Sequence, residues 1–497
     1  MYVTLNFDVE DLVYPPDERT DEIPGWIART LTEMGLRGTF HVIGDKARAM
    51  LQRKRQETLA LMTEHEIGTH SDSFRHPVVP EIVEGCGWAD GVEKLVAYEK
   101  RAIQGIHESF WKPPVSMSSH AFFTAPQAYG AAAEIGLPYM YGFAYCPGHS
   151  GPVWYGGALS FPTRGDEKLP SAFLSLGLDP VLSHDDEFHR KLDLLRGELD
   201  RRVAAGIEYL TLFVCHPVRI RSTGWTEDEL YANGLNCTTE EFGYAYELKT
   251  LVWMEKAKAN FRRFCEYLRG RKDIEVIGLS RATELFRVQP PHISRDVLLA
   301  YCQAGENPTH PRLDPAFSPG ELLTGLAESL VEGESRGGLP RAVERRTVLG
   351  PIEKPILVPQ IPFATREELL GLCRELADAV KQSRHLPANL KLGEARIGLG
   401  SLHAACVTAF AAACRGDQIA RLRLQCVPRY PAFAAELDRT MSWHEESRFL
   451  APEFSAERLR LHARLQTWSL KPARMRYGSG PYLEAGGFVP SNLISQR

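Results

Sequence analysis

Tyr2-Val3-Thr4-Leu5-Asn6-Phe7-Asp8-Val9-Glu10-Asp11 is the stretch on which the architecture turns. Residues 2–7 alternate and are rich in β-forming side chains, so they read as a strand that runs directly into three carboxylates. Next, Ile23, Trp26, Ile27, Thr30, Leu31 and Met34 recur at helical spacing and stop at Gly35, a glycine exit. Gly38–Gly44 then reads as a second buried strand, 47–64 as a helix, and Glu66-Ile67-Gly68-Thr69-His70 as a third strand with polar residues at its end.

A β-α-β-α-β order implies parallel strands. Similar units follow at Leu137–Tyr141, at Tyr209–His216 and, after a long helix around 245–269, at Ile274–Leu279. Strand–helix repetition over some 280 residues fits a deformed (β/α) barrel better than an open sheet. From about 287 the pattern breaks at Pro290, Pro291, Pro308, Pro311, Pro315 and Pro319. The expected organisation is a catalytic barrel over 1–287, a connecting segment over 288–317 and a mainly helical accessory region over 318–497.

Composition narrows the function classes. A chain of 497 residues exceeds one core, and 44% apolar with 24% charged residues is ordinary for a globular protein. A formal charge of -5 with no basic stripe argues against a nucleic-acid partner. The N-terminus has no basic region followed by an apolar one, and no stretch is long and apolar enough to span a bilayer, so a cytoplasmic chain without a membrane partner is expected. Ten cysteines without a Cys-x-x-Cys pair exclude a zinc ribbon and a disulfide scaffold.

Parallel barrel strands present their C-terminal ends on one face, which would gather Asp8, Glu10, Asp11, His70, His76 and His216. Carboxylate and imidazole donors together suit zinc, cobalt, nickel, iron or manganese and leave positions for water and a carbonyl oxygen. Such a centre hydrolyses amides: the metal polarises the carbonyl, a second carboxylate takes the water proton, and a histidine protonates the leaving nitrogen. The bland reading makes the acids a helix cap and the histidines structural or loop residues. His184–His189 reads as a charged helix start, Cys146–His149 as a turn, and Trp111, Tyr141, Trp154 and Tyr155 as packing aromatics.

Over residues 1–285 the motifs resemble the polysaccharide deacetylases of the NodB-homology type, carbohydrate esterase family four. Phe7-Asp8-Val9-Glu10-Asp11 is similar to the family's acidic motif, Gly38-Thr39-Phe40-His41 to its second strand, Glu66–His70 to its first histidine motif, and Leu212–Pro217 to its last. The resemblance implies Asp8 as general base, Glu10 as metal ligand with Asp11 competing for that role, His70 as ligand and His216 as general acid. The family's second histidine falls four positions after the first, where this chain has Phe74; a His-Pro pair follows at His76, which takes the ligand role instead. The arginine that orients the base is matched by Lys112 in Lys112-Pro113-Pro114-Val115-Ser116. A divalent metal, most simply zinc, and an N-acetylated sugar or related small amide are implied. Phe74, Lys112 and Ser116 support a rival: a catalytically impaired glycan- or partner-binding protein on the same fold.

In the C-terminal part, helical spacing at Glu321–Leu330, Glu367–Val380 and Ala404–Ala413 alternates with expected short strands near 347–358 and 390–398. The helix, Leu386-Pro387-Ala388-Asn389-Leu390 and second helix weakly resemble pseudomurein-binding-type repeats; a helical accessory or homo-oligomerising region is the competing expectation.

Overall fold

The computed structural model describes residues 1–120, 124–165, 169–304, 309–431, 434–435, 437 and 449–475. The chain divides into two compact units: Met1–Pro152 with Ala158–Leu285 and Met441–Leu459, and Val153–Gly157 with Phe286–Thr440 and Arg460–Arg497.

In the first unit, β1 (Tyr2–Val9), β2 (Gly38–Val42) and β3 (Glu66–Thr69) lie parallel and in register, with Asp8 opposite His41 and His41 opposite Gly68. β4 (Met117–Ser118) and β5 (Tyr139–Gly142) follow; β6 (Val153–Tyr155) belongs to the second unit. β7 (Ala158–Pro162), β8 (Phe173–Ser175), β9 (Tyr209–Cys215) and β10 (Glu275–Val276) complete the set. β1 is central: β2 and β10 share one of its edges and β9 takes the other. A strand buried on both faces tolerates few polar residues, and Val3, Leu5, Phe7 and Val9 are all buried. Phe7 stacks on Phe40 at 5.0 Å and meets Phe261 edge-on at 6.2 Å. Each such side chain contributes roughly 1.5–3 kcal/mol by leaving water.

Among the described residues the strand pairings do not trace a closed barrel. They form two parallel sheets, β3-β2-β1-β9-β8 and β4-β5-β7, in the first unit. β3 hands over to the β4 segment through Val115 N–H to Ile67 O (2.8 Å), Thr69 N–H to Ser116 O (2.9 Å) and Ser71 N–H to Ser118 O (2.9 Å). Among the described residues no strand pairing joins β7 to β8, and β8 is three residues long and only partly buried. The single helix expected over 47–64 is two, Gly44–Gln52 and Gln56–Thr63, broken where Lys54 adopts a positive φ of 56°. The helix Ile23–Glu33 is followed by Gly35 at φ 67°, as its glycine exit requires.

The second unit has its own core, in which Leu322, Leu326, Leu372, Leu376, Leu402 and Phe410 pack together. Its helices include Pro319–Arg336, Arg366–Ser383 and Leu399–Arg415, with short antiparallel strand pairs between them. Residues 288–317 are no bare connection: His292–Ser294 pairs with Ala342–Glu344, and Ser294 caps the helix Arg295–Gln303. Pro290 and Pro291 precede His292–Ser294, and Pro311 and Pro315 follow Arg295–Gln303. No strand forms over 347–358, where Pro351 and Pro355 remove ladder donors; near 390–398, where a short strand was expected, Asn389–Leu392 and Ala395–Gly398 pair as a hairpin. Among the described residues no helix is long and apolar enough to cross a membrane.

Candidate active site

Strand register decides which side chains meet. Paired residues of parallel neighbours point to the same face, and that face recurs every second residue. Asp8, His41 and Gly68 therefore share a face, and Glu10 and His70, each two residues further on, extend it. Gly68 is required there: a Cβ would lie 2.3 Å from Ser116 Oγ and 2.5 Å from His41 Cδ2. Asp11 has the opposite phase. It accepts from Thr20 Oγ1 at 3.1 Å and lies 3.8 Å from Lys46 Nζ, so it does not compete with Glu10.

Asp8 and Glu10 face a set of imidazoles. His70 Nε2 is 3.6 Å from Asp8 Oδ2 and 3.3 Å from Glu10 Oε2, and His120 Nε2 is 3.0 Å from that same Glu10 oxygen. His216 Nε2 is 3.5 Å from Glu10 Oε1. These residues, with Asp8, Phe74, Trp225, Glu227 and Asp228, line one cavity of about 250 Å³.

His41 and Tyr141 orient Asp8. Tyr141 Oη donates to Asp8 Oδ1 at 3.2 Å, His41 Nδ1 lies 3.5 Å from the same oxygen, and Ser116 Oγ backs His41 Nε2 at 3.1 Å. Tyr141 is the extra residue of a β-bulge and has φ 56°, a costly conformation that turns its ring toward Asp8. Lys112 does not take this role: its Nζ donates to the Thr63 and His65 carbonyls, closing the end of the helix Gln56–Thr63. His76 is not beside the other donors either. Its Nδ1 meets Glu81 Oε2 at 2.6 Å and its Nε2 meets Tyr231 O at 2.9 Å, so both ring nitrogens are engaged elsewhere.

A second bulge, at Val214, interrupts the β1–β9 register just before His216. Trp225 stands perpendicular to the His216 ring at 4.7 Å, and Asp179 receives the His216 backbone N–H at 3.4 Å and lies 3.9 Å from its Nδ1.

The electrostatics follow from these contacts. Burial works against the Asp8 and Glu10 carboxylates, yet His70 and His41 hold Asp8 below its ordinary value, and His120, His216 and His70 hold Glu10 well below. Burial holds His41 below its ordinary value, against the pull of Asp8. It opposes charge on His216 too, but Asp179, Glu10 and Asp8 push that imidazole up to about 9. Burial and the Asp8 charge raise Tyr141, keeping its donated proton in place. Burial and neighbouring Asp11 raise Glu227 well above its ordinary value.

Ser118 Oγ donates to Thr69 O at 2.6 Å, so it accepts from His70 Nδ1 at 2.9 Å. The Nδ1 proton fixed in this way leaves His70 Nε2 facing two carboxylates, where only a second proton or a cation satisfies all three groups. The donor chemistry therefore fits a divalent metal. Among the described residues, however, no group of three or more His, Cys, Asp or Glu is already set to hold one, because Glu10 closes directly on the imidazoles.

Asp8, Glu10, His70 and His216 are thus together as expected from their strand-end positions, and Asp11, His76 and Lys112 are not among them. His120 and Asp179 escaped the sequence reading, which gave His41 only a place in a strand motif and took Tyr141 as a packing aromatic. A Ser-Ser-His run after a two-residue strand carries no periodic signal, although Gly68 and the in-register His41 could have been paired from the β2 and β3 motifs.

No family model and no curated protein matches this sequence. Over 57% of its length the chain is similar to solved structures of polysaccharide deacetylases and family 4 carbohydrate esterases. A Mycobacterium smegmatis protein assigned to the polysaccharide deacetylases is 16% identical, with 90% of that chain covered and a TM-score of 0.37. A family 4 acetyl xylan esterase from Clostridium thermocellum, solved with a cobalt ion, is 12% identical over 58% of this chain and 93% of its own, at a TM-score of 0.25. An allantoinase is 13% identical over 57% of this chain and 90% of its own, at 0.33.

Proposed function

We propose that the first unit is a metal-assisted hydrolase of non-peptide amides, of deacetylase type, acting on an N-acylated sugar or a related small amide. The observation that carries this reading is the meeting of Asp8, Glu10, His70 and His216 at the ends of three strands on one cavity. Glu10 and His70 would hold the cation, which when bound supplies Lewis acidity to the acyl carbonyl.

The protein's own groups divide the proton work. Asp8, kept ionised and fixed through Oδ1 by Tyr141, accepts the proton of the attacking water. His216, protonated at neutral pH beside Asp179, delivers a proton to the departing nitrogen. Phe74 and Trp225 give the cavity apolar walls that exclude competing water. At about 250 Å³ it suits the acyl group and the ring that bears it, with any remaining chain outside.

The direct closure of Glu10 on His70 and His120 favours one rival, a glycan-binding protein without turnover. The two readings part on Asp8→Asn. The enzyme is expected to lose about 10²–10⁴-fold in turnover when acetate release is followed over a panel of N-acetylated amino sugars. Full activity in Asp8→Asn overturns the mechanism; a wild type that releases no acetate yet binds the same sugars equally well after chelation supports the rival.

A further inference from the structure

We infer that His120 is the third protein ligand of the cation site, beside Glu10 and His70; this rests on the metal-assisted reading above. His120 is the imidazole whose Nε2 lies nearest Glu10, at 3.0 Å, on the oxygen that His70 Nε2 approaches to 3.3 Å. The two rings stand 5.6 Å apart and nearly perpendicular at 79°, so their Nε2 atoms face a common carboxylate without stacking. One carboxylate with two imidazoles is a donor set that zinc or cobalt accepts, and three protein ligands leave a position for water and substrate.

The backbone ties the two histidines together. Ser71, directly after His70 and at φ 65°, gives its N–H to Ser118 O at 2.9 Å and takes the His120 N–H on its Oγ at 3.1 Å. His70 and His120 are therefore set by one linked turn although 50 positions separate them in the sequence. Among the described residues the only polar contact of the His120 ring is at Nε2, and its Nδ1 is buried with no hydrogen-bond partner.

Phe74 walls the site beside His120 and supplies no donor of its own. Its side chain is 1% exposed, sits edge-on to Tyr231 at 5.1 Å and clusters with Ile43, Val78 and Leu230. Its ring lies 5.3 Å from His120 and forms an apolar wall that holds the imidazole in place. His76, two residues on, has both ring nitrogens committed to Glu81 and Tyr231.

The test is titration of the chelator-stripped full-length protein with cobalt(II), read by visible absorption and elemental analysis, in wild type, His120→Ala and His76→Ala. His120→Ala is expected to weaken cobalt binding by more than about 100-fold, beyond the loss typical of an outer-shell partner, and His76→Ala to leave it unchanged. Equal binding by His120→Ala and wild type overturns the assignment, as does loss of metal in His76→Ala alone. Proton NMR of the cobalt-loaded wild type needs no variant to fold: shifted exchangeable imidazole resonances from two histidines support the assignment, and from one overturn it. Cobalt held through His120 in a protein that hydrolyses no amide would sink the proposed activity and leave this inference standing.

Discussion

Asp179 lies outside the cavity lining yet sets the charge of the group that must give up a proton there. With burial opposing it, the carboxylate at 3.9 Å is the first of the groups that lift His216 to about 9. A general acid works only while protonated, so activity is expected to fall as pH rises through that value. In Asp179→Asn the alkaline limb should move toward lower pH, in the direction of the ordinary imidazole value of 6.5. A pH profile of kcat/KM for both proteins measures this, and an unmoved limb would show that Asp179 merely positions the backbone. At this scale Asp8, Glu10, His70 and His216 were legible because each stands at the end of an apolar strand. Asp179, His120 and Tyr141 were not, because loops and a bulge bring them in and neither leaves a periodic mark in the sequence.

Among the elements, β3 carries the tightest constraint. Gly68 sits where the register sets His41 and the Ser116 hydroxyl against the strand, so the motif's glycine is a matter of space and not of turn geometry. Gly68→Ala forces apart groups that a Cβ would approach to 2.3 and 2.5 Å, at a cost of roughly 1–3 kcal/mol for overpacking. Because His41 is one of the two groups that hold Asp8, turnover should fall along with thermal stability. Calorimetry beside steady-state kinetics checks both, and a variant with unchanged melting and rate would place the strand differently. The parallel order of β1, β2 and β3 was readable from alternation and intervening helices. Closure was not, since it depends on pairings as short as the two residues of β4, below what hydrophobic periodicity can register.

On the scale of the whole molecule, the division at the prolines near 287 describes only part of the chain's path. Residues 449–459 return to the first unit, and Phe449 and Leu450 pack into the cluster of Ile43, Phe74, Val78, Leu230 and Tyr231. Glu81 fastens the same return by accepting the Ala451 N–H at 3.1 Å while its other oxygen holds His76. No local pattern in 449–459 announces this, because a short segment that buries a few apolar side chains (Phe449, Leu450, Ala456 and Leu459) far along the sequence looks like any loop. A chain truncated after Leu285 therefore lacks part of its own first core and bares the outer side of Phe74, the wall behind His120. Phe449→Ala in the full chain is expected to cost about 3–5 kcal/mol, the usual range for emptying a buried aromatic site. The truncated chain should lose more, melting below the full-length protein and binding cobalt more weakly. A truncated chain that matches the full-length protein in melting temperature and cobalt affinity would mean that the first unit is complete at Leu285 and that the 449–459 return adds nothing to the site.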